Sequence, residues 1–479
     1  MNKISIKVCV RFAPSPTGFL HIGSLRTALF NWLFAKKNSG KFILRIEDTD
    51  RERYVEGAVE NIIEALKWYG LDFDEGPIFQ SKRLGIYQKY ADELVKKGKA
   101  YYCFCSPARL DELRKLQIAN KEAPKYDGHC RTLSEIKVRH RLAKKEPHVI
   151  RLKVPGEGNA EFDDIIYGHI SVENKNIDDQ VLLKSDSYPT YHLANVVDDH
   201  EQKVTHVIRA EEWLPSTPKH ILLYNAFSWS LPQFAHLPMV LGNDRSKLSK
   251  RHGARAALEY KKMGYLPDAL INFIALLGWN PKTNQEIFDR EELIKEFDLD
   301  KINKASAVFD LVKLDWFNGY YIRKIKLDKL TDLCLPFIRY RKINKIYLSK
   351  AIGLFQERMK NLSEINDLGS FLFEERIKYD AKILVPKKFD SDFTLEVLQS
   401  TLEFLKGIKK EDFGTASLKY LFEDFIQKKN YNNTIVLWPL RVAITGKEAS
   451  PGVFEVMEVM GKDKVLARVG EAVENLKKM

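Results

Sequence analysis

Two short stretches, far apart in the 479-residue chain, carry residues suited to a polyphosphate. The first is His21-Ile22-Gly23-Ser24, which follows Arg11-Phe12-Ala13-Pro14-Ser15-Pro16-Thr17-Gly18; the second is Lys247-Leu248-Ser249-Lys250-Arg251. A helix starting at His21 would present unpaired N–H groups and partial positive charge to an anion. An imidazole there donates a hydrogen bond to a phosphate oxygen without carrying a fixed charge, and Gly23 lets a nucleotide ring approach the backbone. Lys247 and Lys250 can clamp a leaving pyrophosphate as its charge builds. Taken singly, each stretch reads as well as a surface histidine or a solvated basic loop. Together, each flanking α/β segments, they suit one triphosphate and the formation of an adenylate from ATP.

The elements that must position these residues are legible in the pattern. Residues 6–12 alternate and are β-branched, so they read as a strand, and Pro14, Pro16 and Gly18 impose a loop after it. Leu25, Ala28, Leu29, Trp32 and Leu33 fall on one face of a helix beyond His21. Residues 41–46 form a second strand ending in the acidic Glu47-Asp48-Thr49-Asp50, and an amphipathic helix runs from about 55 to 69. Strand, loop, helix, strand, helix is a parallel α/β unit, whose ligands bind beyond the carboxyl ends of its strands. Residues from about 85 to 185 break the rhythm and read as an insertion. The α/β pattern resumes at 204–209, and from about 255 the chain is mostly helical. The fold class expected is an α/β catalytic domain with a Rossmann-like parallel sheet, an inserted α+β subdomain and all-α C-terminal domains. The boundaries expected are 1–84 and 188–245 for the two halves of the sheet domain, 85–187 for the insertion, 246–328 for a helical domain and 329–479 for a second, splitting near 380.

Composition sets the outer limits. Hydrophobic residues at 44% and charged residues at 30% exclude a disordered chain, and the net charge of +12 suits a polyanionic partner such as nucleic acid. Five cysteines do not make a disulfide framework in a chain this long. The first residues lack the apolar core of a signal peptide, and no apolar run approaches a membrane span, so a cytoplasmic protein is expected. Cys103, Cys105 and Cys130 cluster, and three thiolates could hold zinc, which prefers four ligands. Tyr126 or His129 would supply the fourth.

The sequence resembles the class I aminoacyl-tRNA synthetases and, more closely, the bacterial-type glutamyl-tRNA synthetases. The resemblance is carried by the two phosphate motifs, Arg11–Gly18, Arg45–Asp50, Tyr188–Asp199, Thr205–Arg209, Lys313–Gly319 and Arg441–Gly446. It implies that L-glutamate and ATP give glutamyl-adenylate and pyrophosphate, and that the glutamyl group then passes to the terminal ribose of tRNA-Glu, the first step needing bound tRNA. It implies His21, Gly23, Lys247 and Lys250 as catalytic residues, with Ser24 and Ser249 also on ATP, and a Mg2+ ion accompanying the nucleotide. Arg11 would read the side-chain carboxylate of glutamate and Arg209 the α-carboxylate, bidentate work that suits arginine. Glu47 would take the ammonium group, Tyr191 and Asn195 would add neutral hydrogen bonds, and Ala13 and Ser15 would line the pocket. Arg358 and Arg441 fall where relatives read the anticodon, and arginine at the first of these favours tRNA-Glu over tRNA-Gln; charging of tRNA-Gln as well stays open. The resemblance also implies acceptor binding by 85–187 and a monomer. At the cysteines, some relatives have histidine where this chain has Thr132, and a shorter tRNA-modifying relative has a tyrosine placed like Tyr126.

Overall fold

A computed structural model describes residues 7–248, 255–340 and 343–479. The chain divides into two units, Met1–Lys261 with Pro267–Leu314, and Lys262–Leu266 with Asp315–Met479. The first unit opens with β1 (Cys9–Phe12), α1 (Ile22–Lys37), β2 (Lys41–Ile46), α2 (Ala58–Tyr69) and β3 (Glu75–Phe79), whose strands pair in parallel in the order β1-β2-β3. There follow α3 (Leu84–Lys96), β4 (Ala100–Cys103), α4 (Pro107–Ala119), α5 (Glu135–Ala143), β5 (Val149–Leu152), β6 (Asn159–Asp164), β7 (Gly168–Glu173) and β8 (Val181–Leu183). Then come α6 (Tyr191–Glu201), β9 (His206–Ala210), α7 (Thr217–Phe227), β10 (Gln233–Leu237), β11 (Val240–Leu241), α8 (Ala257–Lys262), α9 (Pro267–Ala275), α10 (Arg290–Glu296), β12 (Ala307–Val308) and α11 (Leu311–Lys324).

β9 and β10 are parallel, and β10 continues in parallel to β6. β9 lies beside β1: the backbone N–H of Thr205 donates to the carbonyl of Cys9 at 2.9 Å, and the N–H of Cys9 donates to Thr205 Oγ1 at 2.9 Å. The chain leaves β1 toward β2 on one side and leaves β9 toward β10 on the other. Such a reversal opens a crevice at the carboxyl ends of the two strands, where the loop after β1 and the turn after β9 meet. Two strands from within 85–187 belong to this sheet: β6 pairs with β10 and carries β7 antiparallel at its outer edge. The rest of that stretch forms a separate antiparallel sheet, β4-β5-β8.

α1 packs against β1, β9, α9 and α10, which is why its buried residues run round the helix rather than along one stripe. Asn31 pays for its burial with two hydrogen bonds, Nδ2 donating to Thr27 O at 2.8 Å and to Ile208 O at 3.1 Å, so it ties α1 to β9 beside the crevice. α2 is amphipathic in the expected way, burying Val59, Ile62, Leu66 and Tyr69, and stops at Gly70, whose φ of 64° is open to glycine at little cost.

α11 passes into the second unit at Asp315, and the regular elements described there are helical: the rest of α11, then α12 (Leu327–Cys334), α13 (Lys345–Phe355), α14 (Ile365–Leu368), α15 (Ser370–Phe373), α16 (Ser391–Gly407), α17 (Thr415–Lys428), α18 (Asn433–Thr445), α19 (Val453–Met460) and α20 (Lys462–Lys477). α16, α18 and α20 pack on one another. The buried Arg468 of α20 donates to the carbonyls of Phe371 at 3.0 Å and Glu374 at 2.8 Å, capping the end of α15. Among the described residues no helix is long and apolar enough to cross a membrane. Asn31→Ala leaves the Ile208 carbonyl without this donor in a dry site. It should lower the unfolding free energy of the first unit by about 1–3 kcal/mol, read from urea denaturation.

Candidate active site

The floor of the crevice is a buried cluster of charges built by β1, β2 and α6. Tyr191, Asn195, Asp198 and Asp199 recur along one face of α6, at the spacing of successive helical turns, and that face lies against the sheet. Asp199 receives Arg11 Nε at 2.9 Å and Nη2 at 3.3 Å, and also Arg45 Nη1 at 2.8 Å. Arg45 reaches Glu47 Oε1 at 3.3 Å and Gln202 Oε1 at 2.9 Å, and Asp198 lies 3.8 Å from its Nε. Asp198 also accepts from Gln80, Arg83 and Tyr87. Arg11, Arg45 and Arg83 thus face Glu47, Asp198 and Asp199, three cations to three anions, which is what a buried ionic cluster requires.

The protonation of these groups follows their contacts. Burial alone would raise the Asp199 carboxyl, but Arg11 and Arg45 outweigh it and hold it below the usual range. Burial would likewise depress the Arg45 guanidinium, and Asp199, Glu47 and Asp198 reverse this. Glu47 behaves differently: its contacts with Arg45 and Asn195 are both long, 3.3 Å, and burial raises its carboxyl despite the arginines. A carboxylate so placed gains from a further cation.

Arg209 ends β9 in another setting. Its Nε donates to His236 Nε2 at 3.0 Å, its Nη1 to Tyr191 Oη at 3.0 Å and His220 Nδ1 at 3.3 Å, and its Nη2 to Thr217 Oγ1 at 2.9 Å. His236 Nδ1 lies 2.6 Å from Asp164, and His192 Nδ1 lies 3.0 Å from His220 Nε2. Burial keeps these imidazoles neutral, His192 and His236 pushed down to about 4 and His220 well below its ordinary value. Tyr191 packs on Trp213 with ring centres 4.1 Å apart and planes tilted by 31°.

At the other end of the crevice His21 caps α1, its Nδ1 accepting from Ser24 N at 3.3 Å and its Nε2 lying 3.1 Å from Ser24 Oγ. The surrounding wall depresses its basicity through burial. A Cβ on Gly23 would stand 3.1 Å from the His21 ring, so the glycine makes room for the imidazole itself, a closer constraint than room for a nucleotide. Lys247 is exposed and its Nζ lies 2.8 Å from Glu212 Oε2. Ser249, Lys250 and Arg251 lie outside the described residues. The chain on either side of them is anchored near His21 and β11, with Leu248 N donating to Val240 O at 3.1 Å and Ala257 N to Leu20 O at 2.7 Å.

These walls enclose about 450 Å³, lined by Arg11, Ala13, Ser15, His21, Ser24, Glu47, Tyr191, Asn195 and Arg209, together with Glu212 and Trp213. Lys247 is not among the lining residues, and Gly23 lies behind His21. Sequence reasoning gave no part to Asp164, Thr217, His220, His236 or Trp213. Arg45, His192, Asp198 and Asp199 fall within the resembling stretches without a role of their own. The acidic pair had a signal, since two carboxylates on a helix flanked by buried valines must find cations. The histidines had none.

Two further clusters stand apart from the crevice. The Sγ atoms of Cys103, Cys105 and Cys130 lie within 4.8 Å of one another, Cys105 to Cys130 at 3.6 Å. Tyr126 Oη is 3.3 Å from Cys103 Sγ and 3.4 Å from Cys105 Sγ. A tetrahedral zinc with Zn–S near 2.3 Å sets sulfur–sulfur edges of about 3.8 Å, so the donor set fits that ion with Tyr126 at the fourth corner. The exposed His129 is not part of the cluster. In the second unit Arg441 is pinned by Ser450 O at 3.1 Å and Ser450 Oγ at 3.0 Å. Its basicity is lowered first by burial and then by the charge of Arg358, so these two arginines share one neighbourhood.

A parallel sheet with its crevice at the strand reversal, a histidine capping α1 at that crevice and a second helical unit define a class. A family model described as "tRNA synthetases class I (E and Q), catalytic domain" matches residues 7–316, and one described as "Anticodon binding domain" matches residues 329–473, so the chain belongs to the class I tRNA synthetase family. Within it the chain groups with the glutamate–tRNA ligases. It is 47% identical to the glutamate–tRNA ligase of Dehalococcoides mccartyi, with 99% of each chain covered, and 44% identical to that of Treponema denticola, with 98% and 99% covered. A crystal structure of a glutamate tRNA ligase from Elizabethkingia meningosepticum in complex with its amino acid superposes with a TM-score of 0.89 at 38% identity, covering 98% of this chain and 100% of that one.

The neutral histidines fix a pH response. Above their ordinary value of 6.5 they are neutral folded or unfolded and contribute nothing; below it the unfolded chain takes protons that the folded one refuses. Stability of the first unit should therefore fall as the pH drops from 6.5 toward about 4, and fall further as Asp199 is protonated. Urea denaturation across this range should show a shallower fall in His236→Gln.

Proposed function

We propose that the crevice binds L-glutamate beside ATP, forms glutamyl-adenylate, and passes the glutamyl group to the 3'-terminal ribose of tRNA-Glu. The observation that carries this reading is the gathering of Arg11, Glu47, Tyr191, Asn195 and Arg209 with His21 and Ser24 around one cavity. Arg11 is held from behind by Asp199 through Nε and Nη2, while Nη1 makes no protein hydrogen bond among the described residues and serves the side-chain carboxylate. Arg209 binds the α-carboxylate, with Tyr191 and Asn195 adding neutral contacts. Glu47, whose carboxylate is short of positive charge, takes the ammonium group. Ala13 and Ser15 close the pocket beside the reacting carboxylate.

His21, Gly23 and Ser24 hold the triphosphate at the start of α1, where N–H groups and the helix dipole favour it. Lys247, Ser249 and Lys250 meet it from the second motif, and Lys247 exchanges Glu212 for phosphate oxygens. An α-carboxylate oxygen attacks the α-phosphorus, the bond to the bridging oxygen breaks, and pyrophosphate leaves with its charge held by the lysines. Mg2+ arrives with the nucleotide as its counter-ion. A ribose hydroxyl of the tRNA then attacks the glutamyl carbonyl and AMP departs. Residues 85–187 and 246–328 meet the acceptor end and stem, and Arg358 and Arg441 read splayed anticodon bases. The chain works as a cytoplasmic monomer. Cys103, Cys105, Cys130 and Tyr126 would hold zinc, which would supply a structural tie between the loop around Tyr126 and the end of β4.

Glutamate-dependent exchange of pyrophosphate into ATP, measured with tRNA-Glu, with tRNA-Gln and without tRNA, tests the reaction. Exchange is expected with tRNA-Glu and not without tRNA, and its absence throughout would refute adenylate formation. Arg11→Ala should abolish exchange while ATP binding, followed by equilibrium dialysis, persists. Elemental analysis of the purified chain should find about one zinc per molecule and markedly less in Tyr126→Phe.

A further inference from the structure

The two arginines assigned to the substrate are held in opposite ways. Arg11 is paired with Asp199, and its neighbour Arg45 shares that carboxylate. Arg209 is as buried as Arg11, yet among the described residues no carboxylate forms an ion pair with it. Its partners are a phenol, a threonine hydroxyl and two imidazoles. An imidazole nitrogen accepts from a guanidinium only through its lone pair, so Nε2 of His236 and Nδ1 of His220 are both unprotonated.

The surrounding groups fix those tautomers. Asp164 faces Nδ1 of His236 at 2.6 Å, which puts the proton there and leaves Nε2 free to accept. The Asp164 charge is otherwise spent on backbone, accepting from Ile166 and Tyr167 at 2.9 Å each and from His236 N at 3.1 Å. The carboxylate thus sits one imidazole away from Arg209. His220 turns its other nitrogen to His192 Nδ1. Thr217 Oγ1 has two acceptors for its one proton, Trp213 O and His236 Nε2, each at 3.1 Å, and so offers Arg209 a lone pair.

We infer that Thr217, His220 and His236 are positioning residues that orient Arg209 through neutral acceptors only, so that the substrate carboxylate is the first anion to touch it; this rests on the reading of Arg209 as a carboxylate binder. A resident carboxylate would have to be displaced from a dry ion pair each time substrate entered, which is costly. Neutral acceptors aim the guanidinium and leave its charge unmatched.

The test uses the full chain with tRNA-Glu in the exchange assay, with KM measured for glutamate and for ATP. Thr217→Asp puts a carboxylate against Nη2 at the start of α7, where an acid is tolerated. It should raise KM for glutamate by about 10–100-fold, the loss of one charge-assisted contact. KM for ATP should change by less than about twofold on the same scale, and Tm should hold or rise because Arg209 is now paired. Thr217→Asn, neutral and of the same size, should raise KM for glutamate far less. Equal increases in the Asp and Asn variants would overturn the inference. Should the Asp variant fail to fold, His236 supplies the test: His236→Gln keeps a neutral acceptor and should stay closer to the parent than His236→Leu, and equality of the two would again overturn it. An unchanged KM for glutamate in Arg209→Gln removes Arg209 from the carboxylate site and takes the underlying reading with it.

Discussion

Asp199 accepts from Arg11 and Arg45 at once, and through that one carboxylate β1, β2 and α6 are held in register at the floor of the crevice. None of the three groups is tolerable there alone. A buried carboxylate without its arginines, or either arginine without the carboxylate, leaves an uncompensated charge in a dry site, at a cost of roughly 3–5 kcal/mol. The cluster closes on itself because Asp198 and Glu47 balance Arg83 and the second bond of Arg45. With α6 fixed by its acidic pair, the residues one and two turns earlier on the same face, Asn195 and Tyr191, have no choice but to face the cavity.

The neighbouring strand β9 follows another rule. There a chain of neutral groups, Thr217, Tyr191, His220 and His236, surrounds Arg209, and the balancing Asp164 stands behind an imidazole. The cavity is therefore asymmetric. One arginine arrives already neutralised, with spare N–H groups, and the other keeps its full charge. The groups the cavity presents are held in different ways: a paired arginine, an arginine with neutral partners, and a carboxylate. The raised carboxyl of Glu47 completes the set, because its contacts leave it short of positive charge.

The surroundings of His21 depend on a topological coincidence. β1 and β9 lie side by side, so the loop leading into α1 and the segment after β9 share one mouth. The return of the chain at Ala257, hydrogen-bonded to Leu20, and its departure at Leu248, bonded to Val240, bring both flanks of the second motif to the same neighbourhood. More than two hundred residues of sequence separation vanish in the one backbone hydrogen bond from Ala257 to Leu20.

Much of this was legible beforehand, and for physical reasons. The alternation of 6–12 and 41–46, the helical spacing after His21 and the Pro/Gly loop between them set the first α/β unit, because local periodicity determines which face is buried. Resemblance and residue chemistry point to Arg11, Glu47, Tyr191, Asn195 and Arg209. What tertiary structure alone decided were the partnerships. The pairing of β6 with β10, from within a stretch that reads as an insertion, rests on one long-range bridge that no local pattern announces. His220 and His236 look like ordinary core histidines until the fold brings them to Arg209. Gly23 reads as space for a nucleotide, and in the fold a Cβ there would also stand 3.1 Å from the His21 ring. Sequence determines which groups must be buried or paired; only the folded chain decides with whom, since the partners come from strands and helices that are neighbours in space and strangers in sequence.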